Sequence, residues 1–140
     1  MSLQEGELPG APYRHRHVAH YHGDTVRSLF VVAAVVLLVA ETTGASLPLP
    51  TFQIVALAVL LVVAAGITNP AQAWIHFVNA LLAIYGALVF GLFAIEAYRA
   101  AQEIFSQTYL FAELLAILFL VSVYFTTKTV RGILLRPHLT

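Results

Sequence analysis

Four long apolar stretches, separated by short segments that contain proline, glycine and polar residues, constrain this sequence more than any other feature. A helix needs about 20 mostly apolar residues to cross the hydrocarbon core of a bilayer. Hydrophobic residues make up 60% of the 140-residue chain and charged residues only 10%, which is far from the balance of a soluble domain. The sequence therefore predicts an all-α integral membrane protein, a bundle of four transmembrane helices.

We predict helices over about residues 26–43, 52–67, 70–103 and 108–127. A polar, histidine-rich tail over 1–25 precedes this four-helix domain of 26–127, and a basic tail over 128–140 follows it. Proline residues, which a helix interior tolerates poorly, mark the first two breaks. Small residues follow the first apolar run, as they do in a signal peptide. The polar segment before the run is longer than a usual signal n-region, so we expect the run to be retained.

Basic residues concentrate near the two ends of the chain. Arg14, Arg16 and Arg27 precede the first predicted helix or lie at its start, and Lys128, Arg131 and Arg136 follow the last. Cytoplasmic segments of membrane proteins carry an excess of Lys and Arg, and an even number of spans places both termini on one side. We therefore expect a multi-pass protein of the cell membrane with cytoplasmic N- and C-termini.

The composition of the sequence and the absence of several catalytic motifs disfavour a number of function classes. Cysteine is absent, which removes disulfides, thiolate nucleophiles and cysteine-ligated metals. The sequence contains no G-x-S-x-G, no H-E-x-x-H and no phosphate-binding glycine loop. The seven basic and seven acidic residues cancel, so no overall positive field favours nucleic acid. We expect neither an enzyme nor a cofactor-binding protein, and no nucleic-acid partner.

Glu113 is the most informative polar residue because it lies about two turns inside the fourth predicted helix. An ionised carboxylate within a bilayer is costly unless it meets a partner or water, so this side chain should face protein. It is either a proton or cation site or a hydrogen-bonded packing residue near the interface. Tyr109 and Tyr124 lie near its face at helical spacing and would support an ion or proton path.

Two further carboxylates belong to the same hypothesis. Glu41 lies in the last turn of the first predicted helix and Glu96 near the outer end of the third. Each can extend its side chain to headgroups or water, and this interpretation without a specific function is the favoured one. Together with Glu113 they could instead line an acidic outer vestibule, whose oxygen atoms would suit hard cations or a proton relay.

The third predicted helix carries a stripe of small residues that continues from two polar side chains. The members of this helix-packing face are His76, Asn79, Ala80, Ala83, Ala87, Gly91 and Ala94. Small residues allow two membrane helices to approach closely, and Asn and His supply hydrogen bonds between them. The stripe is therefore our candidate for a helix interface, and structural hydrogen bonding is the favoured role of His76.

The N-terminal tail contains His15, His17, His20 and His22, close enough for two or more imidazoles to share a transition metal. The neighbouring arginines would repel a bound cation. Arginine and aromatic residues beside a first helix suit anionic headgroups, so a membrane-surface role is the favoured functional reading. A solvated tail without a specific role remains the simplest one.

Three hypotheses follow for the function. The first is a structural or accessory subunit that assembles through its helices with itself or with a larger membrane complex. The second is a homo-oligomeric ion or proton channel, or a small transporter, that uses Glu113. The third and weakest is a metal-handling protein with a histidine-rich tail. In each case the bilayer is the first partner, and the first two also require other membrane helices.

Overall fold

Four α-helices account for most of residues 22–69, 71–101 and 105–135, which the computed structural model describes. The helices are α1 (Gly23–Thr42), α2 (Thr51–Ile67), α3 (Trp74–Ala101) and α4 (Gln107–Leu134). These ranges contain no strand. α1, α3 and α4 are long and apolar enough to cross a membrane, whereas α2, with 17 residues, is shorter. The predicted all-helical class is confirmed.

Some helix ends differ from the sequence-based prediction. α4 continues to Leu134 and so includes Lys128 and Arg131, because the long side chains of basic residues reach polar surroundings without ending the helix. α3 begins only at Trp74. The side-chain Oδ1 of Asn69 accepts a hydrogen bond of 2.9 Å from the backbone N–H of Ala71, so Asn69 forms a local turn before the helix.

The helices pack in the order α2, α1, α4, α3, and α2 and α3 meet only sparingly. The backbone N–H of His22, just before α1, donates to Oγ1 of Thr129 near the end of α4 over 3.1 Å. Nε2 of Gln107, at the start of α4, donates to the carbonyl of Thr43, just after α1, over 3.3 Å. α1 and α4 are therefore antiparallel, and the helical domain begins and ends on the same side.

Two ends of the molecule can be distinguished from these contacts. The tail end contains the start of α1, residues 68–69 and 71–73 between α2 and α3, and the last turns of α4. The loop end contains the connections 43–50 and 105–106. Each helix runs from one end to the other, because each connection joins two helices on the same side.

The core between the two ends is apolar. Fully buried side chains come from all four helices and include Phe30, Leu37, Ile54, Leu61, Phe90, Leu115 and Phe119. The rings of Phe90 and Phe119 stack with their centroids 5.8 Å apart and so join α3 to α4. Gly86 makes this contact possible, because a side chain at that position would overlap the ring of Phe119.

The outer surface is apolar between the two ends as well. Large hydrophobic side chains such as Val35, Val59, Leu88 and Leu120 are more than half exposed, one on each helix. The charged side chains of the described residues are Asp24, Arg27, Lys128 and Arg131 at the tail end, and Glu41, Glu96, Arg99 and Glu113 at the loop end. An apolar belt of this size is costly in water and matches a hydrocarbon environment.

Candidate functional site

Glu41 joins the two helices of the first hairpin. One of its carboxylate oxygens accepts a short hydrogen bond from Oγ1 of Thr51, the first residue of α2. The carboxylate thus lies near the N-terminus of α2, where the helix dipole favours negative charge. Gly44 has a φ of 82°, in the left-handed region that glycine adopts easily, and so allows the chain to turn after α1. The geometry makes Glu41 a cross-link of the 43–50 connection.

Glu113 is half-buried on a flank of α4 that is turned away from the core. Its neighbours Ala112 and Leu115 are buried, whereas Leu120 and Tyr124, on its own side of the helix, are exposed. No side chain or backbone group in the described ranges forms a hydrogen bond with its carboxylate. Glu113 lies about 9 Å along the axis from the start of α4, a depth from which a carboxylate can reach the interface.

The remaining candidates for an ion path are spread over the molecule. Glu96 is exposed at the loop end, where the rings of Tyr98 and Tyr109 pack 5.6 Å apart. Tyr124 lies about 22 Å further along α4 than Tyr109, with Nζ of Lys128 4.8 Å from its ring centroid. Within residues 22–69, 71–101 and 105–135, no three His, Asp or Glu residues come together as a metal site. The acidic vestibule of Glu41, Glu96 and Glu113 stays a prediction.

A buried polar cluster joins α2 to α3 at the tail end. Nδ2 of Asn79 donates a 2.8 Å hydrogen bond to Oγ1 of Thr68, whose own hydroxyl donates to the carbonyl of Ala64 over 2.7 Å. Nε2 of His76 lies 3.1 Å from the carbonyl oxygen of Asn69. Oδ1 of Asn79 is buried and has no partner among the described residues. His76 and Asn79 thus make these polar contacts at the α2–α3 connection.

The predicted small-residue stripe divides into two parts. Ala83 and Ala94 are buried in the chain, on the same side of α3 as Asn79. Ala80, Ala87 and Gly91 form a partly exposed flank beside that side, which we call the small-residue flank, and Ala87 also packs against the core. Among the described residues, a Cβ atom at Gly91 would meet no other atom within 4 Å, so this glycine serves no close contact with them.

Gly86 was missed in the stripe, although it is the position where α3 and α4 come closest around Phe119. Its sequence signal is its spacing, three residues after Ala83 and seven after Asn79, which places it on the same face. Spacing alone did not distinguish it from other small residues, because the aromatic partner belongs to a different helix.

A row of hydroxyl groups on α4 was also missed. Ser122, Thr126 and Thr129 are buried, and each donates to the backbone carbonyl four residues earlier, over 2.7–3.0 Å. Oγ1 of Thr129 also accepts a hydrogen bond from the backbone N–H of His22. The ring centroids of His22 and Phe125 lie 5.0 Å apart. The four- and three-residue spacing of the three hydroxyl-bearing residues is the signal that could have revealed the row. His15, His17 and His20 lie outside the described residues.

A groove runs along the outside of the α1–α2 pair and was not predicted. At the tail end its mouth has a volume of about 630 Å³, with Asp24, Arg27 and Ser28 on one side and Ala65 and Gly66 on the other. A second section of about 290 Å³ continues toward Leu38 and Val55 and is lined only by apolar residues. Val31 and Val62 line both sections, so the two form one groove.

These features give the described part of the molecule two polar ends, an apolar interior and an apolar exterior that contains the α1–α2 groove. The polar groups at the ends hold connections together, and the described residues present no converging acid, base and nucleophile. No family model, curated protein or solved structure matches the chain.

Proposed function

We propose that the chain is a multi-pass protein of the cell membrane in which all four helices cross the bilayer. The apolar belt supports this for α1, α3 and α4. α2 is about 25 Å long, somewhat less than a hydrocarbon core of roughly 30 Å. Leu47 and Leu49 precede α2 and pack partly buried against the core, so they extend its apolar length at the loop end. Local thinning of the bilayer would accommodate the remaining difference.

The same proposal places both termini in the cytoplasm. Arg27, Lys128 and Arg131 lie at the tail end, whereas three of the four charged side chains at the loop end are carboxylates. Membrane proteins retain Lys and Arg on the cytoplasmic side. The tail end is then cytoplasmic and the loop end faces outward.

Single cysteines test this topology, because the chain has none of its own. Ser46, Gln72 and Leu135 are exposed in the two connections and after α4. In intact cells, an impermeant maleimide should label Ser46→Cys but should label Gln72→Cys and Leu135→Cys only after permeabilisation. Labelling of positions 46 and 72 from the same side would show that α2 does not cross.

Within this topology we propose that the protein is a structural or accessory subunit, assembling with itself or with a larger membrane complex. The observation that carries the proposal is the filled interior. Between the polar ends, Leu37, Leu115 and the stacked rings of Phe90 and Phe119 occupy the space that a water-filled path would need. The function of the chain then depends on its outer surface, which can associate with other membrane helices.

The small-residue flank of α3 is the part of that surface best suited to a second helix. Ala80, Ala87 and Gly91 are partly exposed, and among the described residues the space beside Gly91 is open. Helices in membranes associate where small side chains let their backbones approach. The flank supplies that feature without competing with the α3–α4 contact at Gly86.

The test is to isolate the protein from its native membranes in mild detergent, at natural expression level, and to measure the mass and composition of what it carries. We expect a defined assembly that is lost in Ala87→Leu and Gly91→Leu. Tyr85→Trp is the matched control, since Tyr85 is 45% exposed on the side of α3 that faces away from the flank and also gains bulk. A monomer at natural abundance, or unchanged assembly in both flank variants, would refute this role for the flank.

A homo-oligomeric ion or proton channel, or a small transporter, is the second candidate. Its support is the half-buried carboxylate of Glu113, which has no hydrogen-bond partner in the part of the chain that the structure describes and lies on an outward flank of α4. In an oligomer this flank could face a neighbouring copy. A metal-handling role of the tail stays a sequence-based prediction, because three of its four histidines lie outside the described residues.

A further inference from the structure

We propose that the groove between α1 and α2 binds one phospholipid of the cytoplasmic leaflet, and that its headgroup is of the phosphatidylethanolamine type. The acyl chain occupies the apolar section and the headgroup lies at the mouth beside Arg27 and Asp24. This inference rests on the membrane insertion and orientation proposed above, but not on the accessory role.

The dimensions of the groove fit a lipid chain better than a partner helix. The apolar section extends from Val31 to Leu38 on α1 and from Val63 to Val55 on α2, and the mouth continues it to Asp24. Seven or eight residues of helix correspond to about 10–12 Å. One leaflet accounts for about half of a hydrocarbon core of roughly 30 Å. A partner helix would need a groove along the whole core, whereas a single acyl chain needs only the half that is present.

The walls of the apolar section are preformed. Val35 and Val59, both more than half exposed, line this section together with the buried Ala34 and Ala58. Valine has essentially one side-chain rotamer in a helix, so such walls lose little entropy when the groove is filled. Because no polar side chain lines this section, hydrocarbon is the chemistry that it accepts.

The mouth carries one charge of each sign, which is the pattern of a zwitterionic headgroup. Nη1 of Arg27 lies 3.7 Å from Oδ1 of Asp24, too far for a hydrogen bond, and the two side chains are 47% and 88% exposed. The planar guanidinium can donate two hydrogen bonds to a phosphate. The carboxylate of Asp24 can accept a hydrogen bond from a primary ammonium, which a quaternary ammonium cannot donate. An anionic headgroup would instead meet the repulsion of Asp24.

Gly66 keeps the mouth open. It lines the mouth on the α2 side and is exposed, and a Cβ atom there would meet no atom of the described residues within 4 Å. A larger side chain at this position would enter the groove without displacing any neighbour. Leucine also has a higher helix propensity than glycine, so Gly66→Leu blocks the groove without a cost to α2.

The experiment is native mass spectrometry of the delipidated full-length protein after incubation with phosphatidylethanolamine, phosphatidylcholine or phosphatidylglycerol of identical acyl chains. We expect the protein to retain one phosphatidylethanolamine molecule, with an affinity about tenfold higher than for the other two lipids. Gly66→Leu and Arg27→Gln should lose it. Asp24→Asn should retain lipid but lose the preference over phosphatidylcholine. Arg131→Gln, an arginine at the same end but outside the groove, is the control and should bind as the unmodified protein does.

Equal retention of the three lipids, or unchanged binding by both Gly66→Leu and Arg27→Gln, would overturn the proposal. Helix content by circular dichroism identifies a variant that fails to fold, and Val59→Phe then provides a second way to fill the groove. Cysteine labelling separates the two levels of failure. If positions 46 and 72 lie on opposite sides and no lipid is retained, the lipid site alone is refuted, whereas positions on one side refute the topology on which it rests.

Discussion

Gly86 of α3 lies directly against the ring of Phe119 of α4, so closely that a methyl group at Gly86 would overlap the ring. The same ring stacks on Phe90, one turn further along α3. The glycine and the two aromatic rings therefore fix both the distance and the register of the α3–α4 pair. Within a membrane, where burial of apolar groups drives no association, such shape matching is a main source of stability.

Gly86→Ala should destabilise the protein, because the new Cβ has to displace a fully buried ring. Overpacking of a filled core typically costs about 1–3 kcal/mol. The free energy of unfolding can be measured by titrating SDS into mixed micelles. Phe119→Leu in the Gly86→Ala background should recover part of the loss, since the smaller side chain vacates the overlapping volume.

Gly91→Ala is the matched control for this prediction, because a Cβ at Gly91 meets nothing within 4 Å. Alanine is favoured over glycine in a helix by up to about 1 kcal/mol, so this variant should be as stable as the unmodified protein or slightly more stable. Equal stability of the two alanine variants would contradict the α3–α4 contact described above.

The Thr68–Asn79 pair leads to a second prediction, in which the two partners respond unequally. Thr68→Val removes the acceptor of Nδ2 of Asn79 and leaves a buried amide with neither end paired in the described residues. The cost should be about 1–3 kcal/mol. Asn79→Leu removes the amide together with its unpartnered Oδ1, while Thr68 still donates to Ala64. Its cost should be below about 1 kcal/mol.

The same SDS titration measures both variants, and a double-mutant cycle completes the test. The combination of Thr68→Val with Asn79→Leu should be more stable than Thr68→Val alone, because the orphaned amide is then absent. If Asn79→Leu is the more damaging single change, the hydrogen bond contributes more than the unpaired oxygen costs, and the prediction is wrong.

The sequence predicted the helical class because long apolar runs demand internally hydrogen-bonded backbone wherever they meet hydrocarbon. The predicted end of the first helix, at about residue 43, lies next to Gly44, whose φ is positive. The sequence did not predict that α4 continues through Lys128 and Arg131 to Leu134, since basic residues end an apolar run without ending a helix. The amino-acid composition of a segment therefore predicts its environment more reliably than it predicts its backbone conformation.

The candidate site was harder to predict, because its features depend on pairs of residues from different helices. The small residues of α3 were recognisable from spacing, but only the position of Phe119 distinguishes the buried Gly86 from the open Gly91. The lipid groove likewise requires the alignment of Gly66 with Arg27, residues on two antiparallel helices. The periodicity of one helix does not predict which residues of a second helix lie beside it.

The Glu41–Thr51 hydrogen bond gives a third prediction, concerning the first hairpin. Glu41→Ala and Thr51→Val should each lower the free energy of unfolding by at most about 1 kcal/mol, because the pair lies near the surface where water competes. The double variant should be no worse than the more damaging single one. Thr42→Val is the control, since the Thr42 hydroxyl donates only to the carbonyl of Val39 in its own helix. Fully additive losses at positions 41 and 51 would show that the two side chains act independently.

Glu113→Gln separates the accessory role from the channel or transporter alternative. The carboxylate has no hydrogen-bond partner among the described residues, so the amide should leave the free energy of unfolding within about 0.5 kcal/mol of the original value. On the accessory proposal, purified protein in liposomes should carry proton or cation flux no greater than empty liposomes, with or without the substitution.

The exposed Glu96→Gln provides the control in that flux measurement, because it removes a carboxylate from the same end of the molecule without touching α4. Flux that Glu113→Gln abolishes and Glu96→Gln preserves would establish an ion or proton path along the outward flank of α4. Because the interior of one chain is filled, such a path would have to run between copies, and the native assembly would then be a symmetric oligomer with Glu113 facing the neighbouring subunit.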